Sequence, residues 1–182
     1  FGYGEELGVD PGRAASQAYR LPVHRDWYKS GAGHNIVLVD GLSQKEAEGK
    51  CLAFISNDSC TAITADAGPA FTGVSHIRFM LLGTRYLLVI DELKNNDGQE
   101  HLYDWLYHNK GKDVECFLPR SERILEKNPA GYGYLNNITA HICSDIQTFH
   151  SNFAGEKLSL HLASAGEKGD EIFTATGPFT ST

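Results

Sequence analysis

The sequence predicts an all-β protein, an antiparallel β-sandwich built from hairpins. Short runs rich in β-branched, aromatic and leucine residues recur along all 182 residues. Turns containing Gly, Asn, Asp or Lys separate these runs at spacings of about 8–15 residues, which is typical of an antiparallel sandwich. Helical patterns are short and occur only at residues 43–49 and 119–127. Because no repeat or low-complexity linker interrupts the chain, we expect a single domain over residues 1–182.

Ten strands follow from this pattern. The clearest hairpin joins residues 75–82 to residues 86–93, with Gly83-Thr84 at the position where a two-residue turn needs a positive φ. Both arms are almost continuously apolar, which predicts central strands covered on both faces. The predicted strands comprise residues 35–40, 51–55, 60–65, 75–82, 86–93, 101–108, 114–118, 138–144, 157–163 and 171–176.

The predicted strand at residues 101–108 alternates between two faces. One face carries three large aromatic side chains, Tyr103, Trp105 and Tyr107, beside His101. Such a face most often packs between the two sheets of a sandwich. A platform on which a sugar ring stacks is the alternative, and the sequence leaves both interpretations open.

Composition and charge argue against two classes of partner. The formal net charge is −7, whereas a nucleic-acid-binding protein needs a basic patch that neutralises phosphates. No run of about 18 apolar residues is present, so we expect no membrane-spanning helix.

The four cysteines form no Cys-x-x-Cys pair, which removes the common structural-zinc signature. In one interpretation Cys51 and Cys60 face each other across a hairpin, and in the other all four are buried free thiols.

Two side chains are candidate metal ligands. Asp10 ends a short apolar run at a Pro-Gly turn, and His34 opens the first predicted strand. A carboxylate and a neutral imidazole are natural zinc ligands, but catalytic zinc takes about three protein ligands, so the pair by itself is a weak signal. The alternatives are a capped turn for Asp10 and an ordinary surface histidine for His34. Asn35 follows directly and is suited to orienting its neighbour.

Four segments carry recognisable motifs in order along the chain. They are Leu7-Gly-Val-Asp10-Pro-Gly, His34-Asn-Ile-Val, Tyr86-Leu-Leu-Val-Ile-Asp91 and His101-Leu-Tyr-Asp-Trp-Leu-Tyr-His108. In this order and at compatible spacing, they resemble the C-terminal β-sandwich domain of the heparinase II/III family of polysaccharide lyases. The resemblance covers residues 1–110, and the remaining residues are similar only in being rich in strands. It implies that the chain is a fragment of a longer protein with an N-terminal helical toroid domain.

The resemblance also implies an activity, a metal and a location. Members of the family cleave uronate-containing polysaccharides by β-elimination, so the expected substrate is an acidic polysaccharide, alginate or a heparin-type glycosaminoglycan. In zinc-binding members the ion lies between the sandwich and the helical domain. Carried over, its ligands are Asp10 and His34, with a third ligand upstream of Phe1. The family's catalytic tyrosine and histidines match no position here, so the isolated chain is expected to be inactive or nearly so. A polymeric substrate implies a secreted or periplasmic protein.

Substrate contacts are expected in the loop after Asp10. Arg13 could pair with a uronate carboxylate as a bidentate fork, and Tyr19 lies in the same loop. A solvated loop arginine and a tyrosine packed within the loop are the alternatives. The basic and aromatic side chains at residues 24–28 suit either an acidic sugar or an interface with another domain. The rival interpretations of the whole chain are a non-catalytic carbohydrate-binding module and a structural β-sandwich.

Overall fold

The computed structural model describes residues 3–12, 20–111, 113–127, 129–154 and 157–178. The sheets are antiparallel, which confirms the predicted all-β, sandwich-type class. Helical structure in these ranges is limited to one π-helical turn, His24–Tyr28, and two 3-10 turns, Gly31–Gly33 and Ala130–Tyr134. The strands are β1 (Val37–Val39), β2 (Lys50–Ser56), β3 (Thr61–Asp66), β4 (Val74–Leu82), β5 (Leu87–Asn95), β6 (Tyr103–Trp105), β7 (Asp113–Cys116), β8 (Asn136–Ile142), β9 (Gln147–Ala154), β10 (Ser159–Gly166) and β11 (Glu171–Thr176).

The chain divides into two compact units. Unit 1 comprises Phe1–Gly41 and Asp104–Thr182, and unit 2 comprises Leu42–Tyr103. Unit 2 is a four-stranded sheet in the order β2-β3-β4-β5. Unit 1 contains a three-stranded sheet, β10-β9-β7, and the pair β11-β8, while β6 begins at the unit boundary and pairs with β1. A single domain over residues 1–182 stays a prediction.

The strand β1 is short because a tight turn follows it. Asp40 and Gly41 both have a positive φ, 55° and 68°. A type I′ turn needs this conformation at both central positions, and Asp-Gly is one of the dipeptides that adopts it most readily. The three residues of β1 before the turn are all buried.

The β4–β5 hairpin of unit 2 is confirmed, but its turn lies one residue later than predicted. The Gly83 N–H donates to the carbonyl of Tyr86 at 2.9 Å, so Thr84 and Arg85 form the two-residue turn. Gly83 does not have a positive φ. A Cβ at this position would lie 2.7 Å from the ring of Tyr86, and this close approach explains the glycine.

The prediction that both hairpin arms are central and covered is wrong for the second arm. Among the described residues β4 lies inside the sheet, whereas β5 lies at its edge. Side chains from both faces of β5 are exposed, including Leu87, Leu88 and Ile90. An apolar run therefore identified the strand correctly, but not its position in the sheet.

The core of unit 1 forms around the π-helical turn. Trp27 and Tyr28 are buried in one cluster with Ala32, Leu38 and Tyr132. The interpretation of residues 24–28 as a sugar-binding or interface surface is therefore wrong for the aromatic members, which are core residues.

The 3-10 turn Ala130–Tyr134 packs closely against this core. A Cβ at Gly131 would lie 2.5 Å from the backbone oxygen of Asp26 and 2.6 Å from Cβ of Ala32. Only glycine allows the turn to approach this closely.

Several local predictions differ from the structure. The helical turns predicted at residues 43–49 and 119–127 are absent from the described residues there, and strand β9 was not predicted.

Cys51 pairs with Ala65 at the open end of the β2–β3 hairpin, so it does not face Cys60, which lies at the turn. All four cysteines are free, and only Cys143 is buried.

Candidate functional site

Three segments of unit 1 are joined by one asparagine side chain. The Asn35 amide nitrogen donates to the carbonyl of Val9 at 2.9 Å, and its amide oxygen accepts from the N–H of His108 at 2.6 Å. The N–H of Val9 also donates to the carbonyl of His108 at 3.0 Å. The side chain thus acts as a bracket that fixes the segment before Asp10 beside the strand that starts at His34. The orienting role of Asn35 at a metal site stays a prediction.

The bracket places Asp10 and His34 in direct contact. Nδ1 of His34 lies 2.8 Å from Oδ2 of Asp10, and Oδ1 of Asp10 accepts from the N–H of Gly12 at 2.9 Å. The pair is open to solvent, with 31% of the His34 side chain and 69% of the Asp10 side chain exposed. The hydrogen bond from Gly12, aided by His34, lowers the pKa of Asp10 below its usual value. The carboxylate is therefore ionised and accessible at neutral pH.

The two predicted ligands are brought together, but the described residues contain no third. Within the described ranges no group of three or more His, Cys, Asp or Glu side chains is arranged to hold a metal ion. The predicted substrate contacts, Arg13 and Tyr19, lie outside the described residues. The roles of these four residues stay predictions.

His108 is a neighbour of the pair that the sequence pattern alone did not identify. Burial lowers the pKa of His108, and repulsion by His34 adds to this, while a hydrogen bond to the backbone of Ala32 opposes it. Its Nε2 atom is buried without a hydrogen-bond partner among the described residues. The imidazole packs edge-on against Trp27, with ring centroids 5.5 Å apart. His108 is thus a half-buried histidine whose surroundings favour the neutral form, next to the more exposed His34.

The strand predicted at residues 101–108 is observed only as β6, and two side chains of its non-aromatic face, Asp104 and Leu106, face the core. Oδ2 of Asp104 accepts from the hydroxyl of Tyr132 at 3.1 Å, and Leu106 packs on the core cluster. Trp105, on the opposite face, is 44% exposed. The interpretation of the aromatic face as inter-sheet core is therefore wrong for Trp105.

Unit 2 contains a second histidine–aspartate pair, and this one is buried. Nε2 of His76 lies 2.7 Å from Oδ1 of Asp91, and the two side chains are only 4% and 8% exposed. Arg78 also donates to Asp91, through Nε at 2.7 Å and Nη2 at 3.0 Å. Burial by itself raises the pKa of Asp91, but the hydrogen bonds from His76 and Arg78 outweigh it and lower the pKa to about 2. These contacts support the structural role predicted for His76.

The fold and the site by themselves define the class of protein. The chain is an all-β protein of antiparallel sheets that presents an ionised carboxylate and an imidazole at the mouth of a strand. Residues 2–172 match the family model described as heparinase II/III-like, C-terminal, and the chain therefore belongs to this family. The match extends beyond residues 1–110, on which the four motifs lie. No curated protein matches the chain, and no helix in its described part is long and apolar enough to cross a membrane.

Proposed function

We propose that the chain is the β-sandwich domain of a polysaccharide lyase that cleaves a uronate-containing polysaccharide, alginate or a heparin-type glycosaminoglycan, by β-elimination. Membership of the heparinase II/III-like C-terminal family supports the class of enzyme. The observation that carries the proposal is the contact between Asp10 and His34 at 2.8 Å. Two segments separated by the core turn at residues 24–28 bring these side chains together on an accessible surface.

The domain would contribute two zinc ligands and one wall of the substrate cleft. The two side chains present suit a zinc ion, because a carboxylate oxygen and an imidazole nitrogen converge and both are accessible. The Asn35 bracket holds the segments that carry them. Bound zinc would cross-link these segments and add a fixed positive charge, which favours an acidic sugar. The third ligand would come from the helical toroid domain or from the segment joining the two domains.

β-Elimination needs a base for the C5 proton, neutralisation of the uronate carboxylate, and an acid for the leaving oxygen. We assign none of these roles to this chain and expect a tyrosine and histidines of the helical toroid domain to supply them. The isolated chain would then release little or no unsaturated uronate. Because the substrate is a polymer found outside cells, the whole protein would be secreted or periplasmic.

The test compares zinc content and lyase activity in the full-length protein and its variants. Wild-type protein should contain stoichiometric zinc by elemental analysis and release unsaturated uronate, detected by its ultraviolet absorbance. His34→Ala and Asp10→Asn should lose most of the zinc, while His161→Ala, a matched control at an exposed histidine, should keep it. Zinc retained in His34→Ala would contradict the ligand assignment. A zinc-loaded protein that cleaves no uronate polymer would contradict the lyase assignment.

The second candidate is a non-catalytic carbohydrate-binding module, and the exposure of Trp105 is the observation that favours it. This candidate predicts binding of neutral glucans without cleavage and without dependence on zinc. The lyase domain predicts selectivity for uronates. A structural β-sandwich predicts neither kind of binding.

A further inference from the structure

Three aromatic rings form a row that starts on the outward face of β6 and continues along the residues after it. This aromatic row consists of Trp105, Tyr107 and Phe153 of β9. The rings of Trp105 and Tyr107 are nearly parallel, at 16°, with centroids 6.1 Å apart. The edge of Tyr107 meets Phe153 at 67° and 5.8 Å. The row thus ends in ordinary core-type packing at Phe153 and in an exposed indole at Trp105.

The ring beside the exposed indole is held in place from two sides. The hydroxyl of Tyr107 donates to the carbonyl of Leu7, and burial raises the pKa of Tyr107 to about 12. The hydroxyl therefore stays protonated and keeps this hydrogen bond at any ordinary pH. Beneath the row, the N–H of Leu106 donates to the carbonyl of Ile36 at 2.9 Å. A surface fixed in this way loses little conformational freedom when a ligand binds.

The row is also tied to the Asp10–His34 pair. Tyr107 precedes His108, whose N–H is held by the Asn35 bracket, and its hydroxyl binds the segment that leads to Asp10. Along a strand, the three steps from Trp105 to His108 amount to roughly 10 Å. An oligosaccharide is long enough to span this separation.

We propose that Trp105, backed by Tyr107, is a stacking subsite for a pyranose ring of the substrate, separate from the Asp10–His34 pair. The identity of the polymer rests on the proposed function. The faces of aromatic rings carry negative charge density, so they attract the weakly positive C–H face of a sugar, while the sugar hydroxyls stay in water. Tyr107 and Phe153 are only partly exposed, so most of the exposed ring surface of the row belongs to the indole of Trp105. This suits one sugar ring, whereas a protein-binding patch usually spans several hundred Å².

The experiment measures binding and cleavage of uronate oligosaccharides of increasing length by the full-length protein. Trp105→Ala should raise the Kd and the KM for long oligosaccharides roughly tenfold, with kcat unchanged, because one stacking contact is lost. The shortest cleavable substrates should be unaffected, since they do not reach the subsite. Trp105→Phe keeps a flat ring and should restore most of the affinity. Phe117→Ala removes another exposed aromatic side chain of unit 1 and should change neither constant.

The outcomes separate this proposal from the function on which it rests. If wild-type protein cleaves uronates and Trp105→Ala binds every length as tightly as wild type, the subsite is wrong and the lyase assignment stands. A loss in Trp105→Ala that Trp105→Phe does not restore, or that is equal for all lengths, also overturns the subsite, since it indicates a structural role. If wild-type protein neither binds nor cleaves any uronate polymer, the proposed function fails and the subsite fails with it.

Discussion

Two histidine–aspartate pairs in this chain have nearly the same geometry and opposite surroundings. In unit 1, His34 and Asp10 lie 2.8 Å apart and are open to solvent, and in unit 2, His76 and Asp91 lie 2.7 Å apart and are buried. The buried carboxylate is also bound by Arg78 through two nitrogens. The exposed carboxylate accepts a backbone N–H from Gly12.

The difference teaches that burial separates a structural pair from one that can exchange partners. Breaking a buried charged pair leaves an uncompensated charge and is strongly destabilising, whereas an exposed pair contributes little to stability. The Asp10–His34 contact can therefore open without a large cost to the fold. The Asp91 cluster cannot open without loss of unit 2 structure.

The largest expected effect comes from breaking the buried pair. Asp91→Ala leaves Arg78 and His76 without their carboxylate and should lower the free energy of unfolding of unit 2 by about 3 kcal/mol. Hydrogen exchange of amides in β4 and β5 measures this locally. In the control, Asp10→Ala, the amides of unit 1 should lose less than about 1 kcal/mol of protection. Equal losses in the two variants would break the comparison.

The Asn35 bracket is expected to have the next largest effect. Asn35→Ala leaves the carbonyl of Val9 and the N–H of His108 unsatisfied and should cost about 2 kcal/mol. Asn35→Asp keeps an oxygen that accepts from His108 but sets a carboxylate oxygen against the carbonyl of Val9, so its cost should be at least as large. Exchange rates of the Val9 and His108 amides report the change. If both variants exchange like wild type, the bracket does not hold the site.

Low pH should lower the free energy of unfolding of unit 2 in the wild-type protein. The pKa of Asp91 is about 2 in the folded protein against an ordinary value of 3.8. Its stabilising contribution is therefore complete above pH 3.8 and is lost as pH falls towards 2, with a loss of about 1 kcal/mol by pH 3. Unfolding of unit 2 followed by exchange at pH 5 and pH 3 should show this loss in wild type. In Asp91→Asn the loss should be smaller, and an identical pH dependence would assign it to other groups.

The smallest effect on stability is expected at the exposed pair. His34→Gln should change the free energy of unfolding by less than about 0.5 kcal/mol, because an exposed pair is screened by solvent. The same variant should lose zinc from the full-length protein, measured by elemental analysis. A large destabilisation in zinc-free protein would mean that the pair is structural, like the one in unit 2.

The sequence predicted the strands of unit 2 well because their signals are local. Strands β2 to β5 alternate or run apolar between turn residues, and their predicted bounds differ from the observed ones by at most two residues. Strand β9 was missed because His150, Ser151 and Asn152 interrupt its apolar pattern, and its pairing with β7 and β10 stabilises it instead. Such tertiary partners cannot be inferred from a local window.

The candidate site was predicted only in part for the same reason. Asp10 and His34 were identified from motifs, and the structure places them in contact. His108 was assigned to a strand face without a role, because its partners, Ala32 and Trp27, are distant in sequence. The core role of Trp27 was missed because a π-helical turn has no periodic pattern of its own.

The pairing of β1 with β6 has a consequence for the chain as a modular assembly. The chain leaves unit 1 after Gly41 and returns at Asp104, so unit 2 is an insertion. The two insertion points lie next to adjacent strands, about 5 Å apart across a sheet, and the first of them is already a tight Asp40-Gly41 turn. Joining Gly41 to Asp104 would connect β1 directly to the part of β6 that lies in unit 1. Unit 2 is thus a cassette that can be exchanged, lengthened or removed without rerouting the strands of unit 1.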